Sequence, residues 1–148
     1  MSNATTVETT FHVRYAETDQ MGVVHHAVYV VWFEEGRSSW MRALGSNYAD
    51  FEAEGYNLSV SEVDAQYLAP ARYGREVTVR TWTEQVQSRA MSIRYEVLDA
   101  ATRQRLCRGR TRHICVDRDQ RVVRLPDKWR RFFQRLSGAP GAAPPPPA

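Results

Sequence analysis

Lysine is almost missing from this chain. Of its 20 basic residues only Lys128 is lysine, and the other 19 are arginine. They are scattered among 17 acids, for a net charge of only +3. There is no basic block and no nucleic-acid motif, so nucleic acid is not expected as a partner. Long apolar runs are absent too. The longest, Ala27–Phe33, is far too short to cross a bilayer. The N-terminal residues carry neither a basic stretch nor an apolar one, so no secretory signal is read and the cytoplasm is expected. Cysteine is scarce, with Cys107 and Cys115 alone. If both lie on one strand they sit about 26 Å apart at about 3.3 Å per residue. A disulfide needs Cα atoms within about 7 Å, so free thiols are expected.

Familiar catalytic motifs are mostly lacking as well. There is no Gly-x-Ser-x-Gly elbow, no Gly-x-Gly-x-x-Gly, no P-loop and no His-Glu-x-x-His. The four histidines include an adjacent pair, His25 and His26, which would face apart on a strand and diverge by about 100° on a helix. With only His12 and His113 left to complete a set, no metal site is expected.

What is present is an ordinary globular composition, 43% hydrophobic and 25% charged, in a length that suits one domain. Phe11, Val13 and Tyr15 alternate with polar residues and predict a strand over 7–15. A polar loop, Ala16–Gly22, follows. Tyr29, Trp32, Phe33, Gly36, Trp40, Ala43 and Leu44 then recur at steps of three and four, predicting a helix over 27–44 closed by Gly45. Gly36 inside that apolar stripe weakens the helix, so a close approach to a neighbouring element is expected there. Glu34 and Arg37 can pair at i, i+3.

Tyr48–Gly55 reads as a short helical turn. Period-two patterns return at Val60–Tyr67, Val77–Thr83, Ile93–Val97 and Leu106–Asp117, the last four strands being read as joined by short turns. Asp117–Gln120 reads as a turn. Asp127 is placed as N-cap of a last helix burying Trp129, Phe132, Phe133 and Leu136, with Gly138 ending it. The folded domain is set at 1–137, and the Pro/Ala-rich 138–148 as a flexible tail. One long helix followed by strands predicts an α+β fold, an antiparallel sheet with the helix on one face. The other face, or an edge, is left for a partner subunit.

The stretch Arg14–Tyr29 is the densest in chemistry. A strand ends, a loop carries Asp19, and a helix begins near His26 and Ala27. A helix N-terminus offers unpaired N–H groups and a positive dipole end, which can polarise a carbonyl oxygen. A carboxylate beside it could act on the carbonyl carbon directly or through water. Spacing alone leaves a second reading open, in which Asp19 is only a turn former or cap.

Tyr15-x-x-Thr-Asp-x-x-Gly-Val-Val-x-His-x-x-Tyr-x-x-Trp-Phe-Glu-x-x-Arg37 resembles the signature of hotdog-fold acyl-CoA thioesterases, closest to the YbgC and 4-hydroxybenzoyl-CoA thioesterase branch. Tyr67–Val77 resembles the family's turn between its second and third strands, and Gly109–Asp117 with Arg124-Leu-Pro126 its last strand and exit. Together these span about residues 10–136. The resemblance implies about five antiparallel strands wrapped around one long helix, with a short C-terminal helix. It implies acyl-CoA thioester hydrolysis with no cofactor, coenzyme A being part of the substrate.

Residue by residue, the resemblance makes Asp19 the catalytic carboxylate, nucleophile or general base. Gly22 becomes the glycine of the turn into the helix. The His26 N–H becomes the carbonyl polariser, its imidazole being left between an acid/base and a packing role. Tyr29 is placed near the pocket and Tyr15 with it, as core or pocket wall. His25 becomes pocket lining or solvent-facing. Arg89, after Gln87-Ser88, is the candidate contact for a CoA phosphate. Arg108, Arg110 and Arg112 are read as facing solvent or acids, and His113 as a satisfied strand histidine. A homodimer at least, with a homotetramer by resemblance, is implied. The rivals are an acyl-carrier-protein thioesterase and a non-catalytic acyl-binding scaffold. The acyl group is not fixed: short-chain aliphatic and aromatic groups both remain.

Overall fold

A computed structural model describes residues 6–43 and 48–135. Strand β1 (Val7–His12) leads through a single 3-10 turn, Tyr15–Glu17, to helix α1 (Val28–Ala43). A short helix α2 (Tyr48–Ala53) precedes β2 (Asn57–Tyr67), β3 (Glu76–Val86), β4 (Ala90–Asp99) and β5 (Arg105–Val116), and α3 (Asp127–Arg135) follows. The five strands form one antiparallel sheet in the order β1-β3-β4-β5-β2. The α+β architecture expected from the sequence is the one observed, and no described helix is long and apolar enough to cross a membrane.

The apolar stripe of α1 buries Tyr29, Trp32, Phe33, Gly36 and Trp40. It lies on the sheet face carrying Val77, Val79, Ile93, Tyr95, Val97, Cys107 and Cys115. Phe33 stacks on Tyr95 with ring centroids 4.6 Å apart. The expected close approach at Gly36 is present: a Cβ there would lie 2.5 Å from Thr81 Oγ1 and 2.7 Å from Val79 Cγ1. Likewise a Cβ on Gly109 would overlap the Phe33 ring. At one end Phe51 packs edge-on to Trp129 at 5.3 Å, which fixes α3 against α2. Glu54 holds the same pair, accepting from Trp129 Nε1 at 2.9 Å and Lys128 Nζ at 2.7 Å. Both cysteines are buried, free thiols on β5.

Five expectations need correction. The first strand stops at His12 rather than residue 15, because Glu17 folds back: its Oε1 accepts from the Arg14 N–H at 2.8 Å. Strands β2 and β3 are not joined by a short turn. Residues 68–75 carry the chain to a position three strands away, and β2 becomes an edge pairing only with β5. Asp127 is not the cap of α3; the Pro126 carbonyl accepts from Trp129 and Arg130 at 2.9 Å, while Asp127 pairs with Arg130 at 3.1 Å. Glu34 and Arg37 form no pair, since Arg37 Nη1 donates to Tyr95 Oη at 3.0 Å instead. His25 and His26 do not diverge; in the turn before α1 their rings stack with centroids 4.3 Å apart. The expected features at Leu44, Gly45, Leu136 and Gly138, and the tail, lie outside the described residues.

Candidate active site

The loop from Thr18 to Val24 is a tight hairpin. Thr18 and Val24 form an antiparallel bridge, and the Asp19 N–H donates to the Val23 carbonyl at 2.9 Å. Gly22 turns it with a φ of +77°, a conformation that favours glycine. Asp19 Oδ1 accepts from the Met21 N–H at 2.8 Å and, more weakly, from the Val23 N–H at 3.4 Å. The turn-former reading of Asp19 is therefore true of one oxygen. Its Oδ2 receives no hydrogen bond from a described residue, and the side chain is exposed.

The hairpin is stitched to the crossover. Val23 bridges Arg72, the Val24 N–H donates to the Ala71 carbonyl at 2.9 Å, and the Ala71 N–H donates to Tyr29 Oη at 3.1 Å. Tyr29 is thus a buried anchor of α1, and burial raises its phenol above the ordinary value. After the hairpin the His25 N–H donates to the Glu17 carbonyl at 3.0 Å, and the Ala27 N–H to His25 Nδ1 at 3.2 Å. The His26 carbonyl accepts from Tyr67 Oη at 2.9 Å, while its N–H meets no acceptor among the described residues. That N–H lies at the entry to α1, where the first-turn donors and dipole favour a developing negative charge.

Two side chains that sequence reasoning passed over hold this arrangement. Glu17 is buried and accepts from Arg14 N–H at 2.8 Å, Arg14 Nη2 at 3.0 Å and Trp32 Nε1 at 3.0 Å. Burial by itself would raise its carboxyl; the three donors outweigh it and hold the group below its ordinary value. Tyr67, at the end of β2, packs edge-on to Tyr29 at 5.2 Å and to His26 at 6.5 Å. Nothing in the local pattern distinguishes either residue.

Similarity to known proteins now bears on this geometry. The model of the thioesterase-like superfamily matches residues 13–144. The chain belongs to that superfamily. Among its relatives is YneP of Bacillus subtilis, named as a candidate acyl-CoA thioesterase. The two are 38% identical over 107 residues, 72% of this chain and 77% of YneP. Among solved structures, the hypothetical protein TT1821 of Thermus thermophilus superposes with a TM-score of 0.80 at 40% identity, covering 90% of this chain and 98% of that one. The DHNA-CoA thioesterase of Staphylococcus aureus superposes with a TM-score of 0.78 at 31% identity, covering 88% and 87%. The hotdog fold is shared with all of these solved structures.

Within this thioesterase-like fold, Asp19, Gly22, His25, His26 and Tyr29 gather at one end of α1, joined by Tyr67. Tyr15 is close in sequence but points outward, 77% exposed, with its ring edge-on to Tyr73 at 5.5 Å. Arg89 is not brought to this site within one chain. It sits in the turn between β3 and β4, where its carbonyl accepts from the Cys115 N–H at 2.9 Å. The full eleven-residue length of β3 separates that turn from the crossover, about 35 Å at strand rise.

Proposed function

We propose that this protein is an acyl-CoA thioesterase that releases a free acid and CoA-SH, with Asp19 and the His26 N–H as its working groups. The observation carrying this reading is the pairing of one exposed, unengaged carboxylate oxygen with an unpaired helix-entry donor. Asp19 Oδ1 is fixed by its own turn, which leaves Oδ2 without a hydrogen bond from any described residue. The His26 N–H polarises the thioester oxygen as the carbonyl carbon becomes tetrahedral. Oδ2 then takes a proton from water, whose oxygen adds to that carbon, or adds directly to give a mixed anhydride that water opens. In either route the C–S bond breaks and the CoA thiolate takes up a proton. A thioester carbonyl is already electrophilic, so the proposed route calls on no metal or redox cofactor.

The substrate pocket is completed, in this reading, by a second copy. Edge strand β2 exposes Val60 and Val63, with Tyr67 and Leu68 at its end. A homodimer through this face, or a tetramer, would let Arg89 of another protomer meet the CoA phosphates that it cannot reach within its own chain. The two free thiols fit a reducing cytoplasm. Thiol release from a panel of short-chain and aromatic acyl-CoAs tests the proposal, with matched acyl-carrier-protein thioesters alongside. CoA release from at least one member is the expected result. Faster turnover of the carrier-protein thioesters would reassign the substrate. Saturable acyl binding with no thiol released from any thioester would make the protein a binding module.

A further inference from the structure

More than two turns beyond the candidate active site, α1, α2, β2 and β5 border a separate, half-open pocket of about 370 Å³. Arg37, Met41, Arg42, Tyr48, Leu58 and His113 line it, and no carboxylate does. Arg42 is answered by Glu35 at 3.7 Å, while no described acid lies within ion-pair distance of Arg37; Glu34 and Glu52 act from further off, on Tyr95 and Tyr48. The residues outside the described ones contain no Asp or Glu that could supply one.

The hydrogen bonds behind this pocket run in one direction. Arg37 Nη1 donates to Tyr95 Oη at 3.0 Å, Tyr95 Oη meets Thr111 Oγ1 at 2.6 Å, and Thr111 Oγ1 meets His113 Nε2 at 2.8 Å. A guanidinium can only donate. The one arrangement that gives each hydroxyl proton an acceptor sends Tyr95 O–H to Thr111 and Thr111 O–H to His113. His113 Nε2 is then an acceptor, and the neutral ring carries its proton on Nδ1. That Nδ1–H is shut from bulk water, and the Leu58 backbone engages the ring, though not at good hydrogen-bond geometry. The Leu58 N–H donates to Tyr48 Oη at 3.1 Å, so the Tyr48 hydroxyl proton is unspent. Arg37's remaining N–H groups and the Tyr48 O–H therefore sit around one space with no acceptor among the described residues. Met41 and Leu58 supply an apolar flank.

We propose that this pocket is a binding site for the carboxylate of a small organic acid. A guanidinium fork beside a neutral hydroxyl donor, with no acid in ion-pair contact, suits a carboxylate, and the flank suits its hydrocarbon part. Two sources share that chemistry. One is a free acid, such as the product of hydrolysis. The other is a carboxylate at the far end of a long acyl chain, whose thioester lies at His26, eleven residues back and about 16 Å along the helix. The second source rests on the proposed function; the first does not.

Isothermal titration calorimetry with benzoate and glutarate, against chloride at equal ionic strength, tests the site without turnover. Saturable binding at millimolar concentrations is expected. Arg37→Gln should weaken it about 10- to 100-fold, Tyr48→Phe less, and Asp19→Asn not at all. A ligand-induced shift of the His113 Nδ1–H resonance by NMR reads the site in the unaltered protein, whether or not a variant folds. Kinetics on long-chain acyl-CoAs with and without a terminal carboxylate separate the sources. A preference for the carboxylated chain that Arg37→Gln abolishes, with the plain chain still hydrolysed, assigns the acyl end. Binding of the free acids without that preference assigns a separate ligand. No saturable binding of either acid together with no preference for the carboxylated chain overturns the proposal, as does binding left intact in both folded variants.

Discussion

Asp19 and Glu17 are carboxylates two residues apart with opposite surroundings. Glu17 spends both oxygens on Arg14 and Trp32 and is buried, so it holds the loop. Asp19 spends one and keeps the other in the open. His113 is a third titratable group with a built-in bias. Burial, and then the charge of Arg37, push its imidazole down to about 4, against a smaller pull from the Leu58 backbone. Its folded value lies below its unfolded one, so the neutral ring contributes stability that is whole above about pH 6.5. That stability is lost as pH falls toward 4, by about 3 kcal/mol in total. Denaturant titrations of the wild type and His113→Leu should diverge in slope across that interval, and parallel slopes would contradict the buried neutral ring. Asp19 was legible in the sequence because it lies in a polar loop beside a helix start. Glu17 and Tyr67 were not, because their partners Trp32 and His26 lie 15 and 41 residues away.

At the scale of elements, α1 is held by contacts that leave no spare volume at Gly36. Alanine there gains about 1 kcal/mol of helix propensity but overlaps Thr81 and Val79, and overpacking costs about 1–3 kcal/mol. Gly36→Ala should therefore lower stability by about 1 kcal/mol, measured by chemical denaturation. A gain would mean that helix and sheet are further apart than described. The helix and strands were legible because periods of 3.6 and two show directly in the order of apolar residues. The lateral order of strands was not. Alternation fixes which face a residue takes but not which strand lies beside it, so the long step from β2 to β3 reads as a turn. The 3-10 turn at Tyr15–Glu17 was equally hidden, since it depends on the Glu17 side chain capping its own backbone.

At the scale of the molecule, the candidate catalytic groups and Arg89 lie at opposite ends of one sheet. A site that uses both requires more than one copy, and in the proposed reading another copy docks on the edge of β2. Light scattering should give at least twice the 17.0 kDa of one chain. Val63→Lys, which puts a charge on that edge, should shift the population toward monomer. A wild type that is monomeric at working concentration would remove Arg89 from the site. The most direct test of the account is the turnover number of Asp19→Asn in CoA release, on a substrate the wild type hydrolyses and with assembly state matched. The account predicts a fall of about 10²- to 10⁴-fold, the contribution of a positioned acid or base. A fall of less than about threefold, smaller than any such contribution, would contradict it.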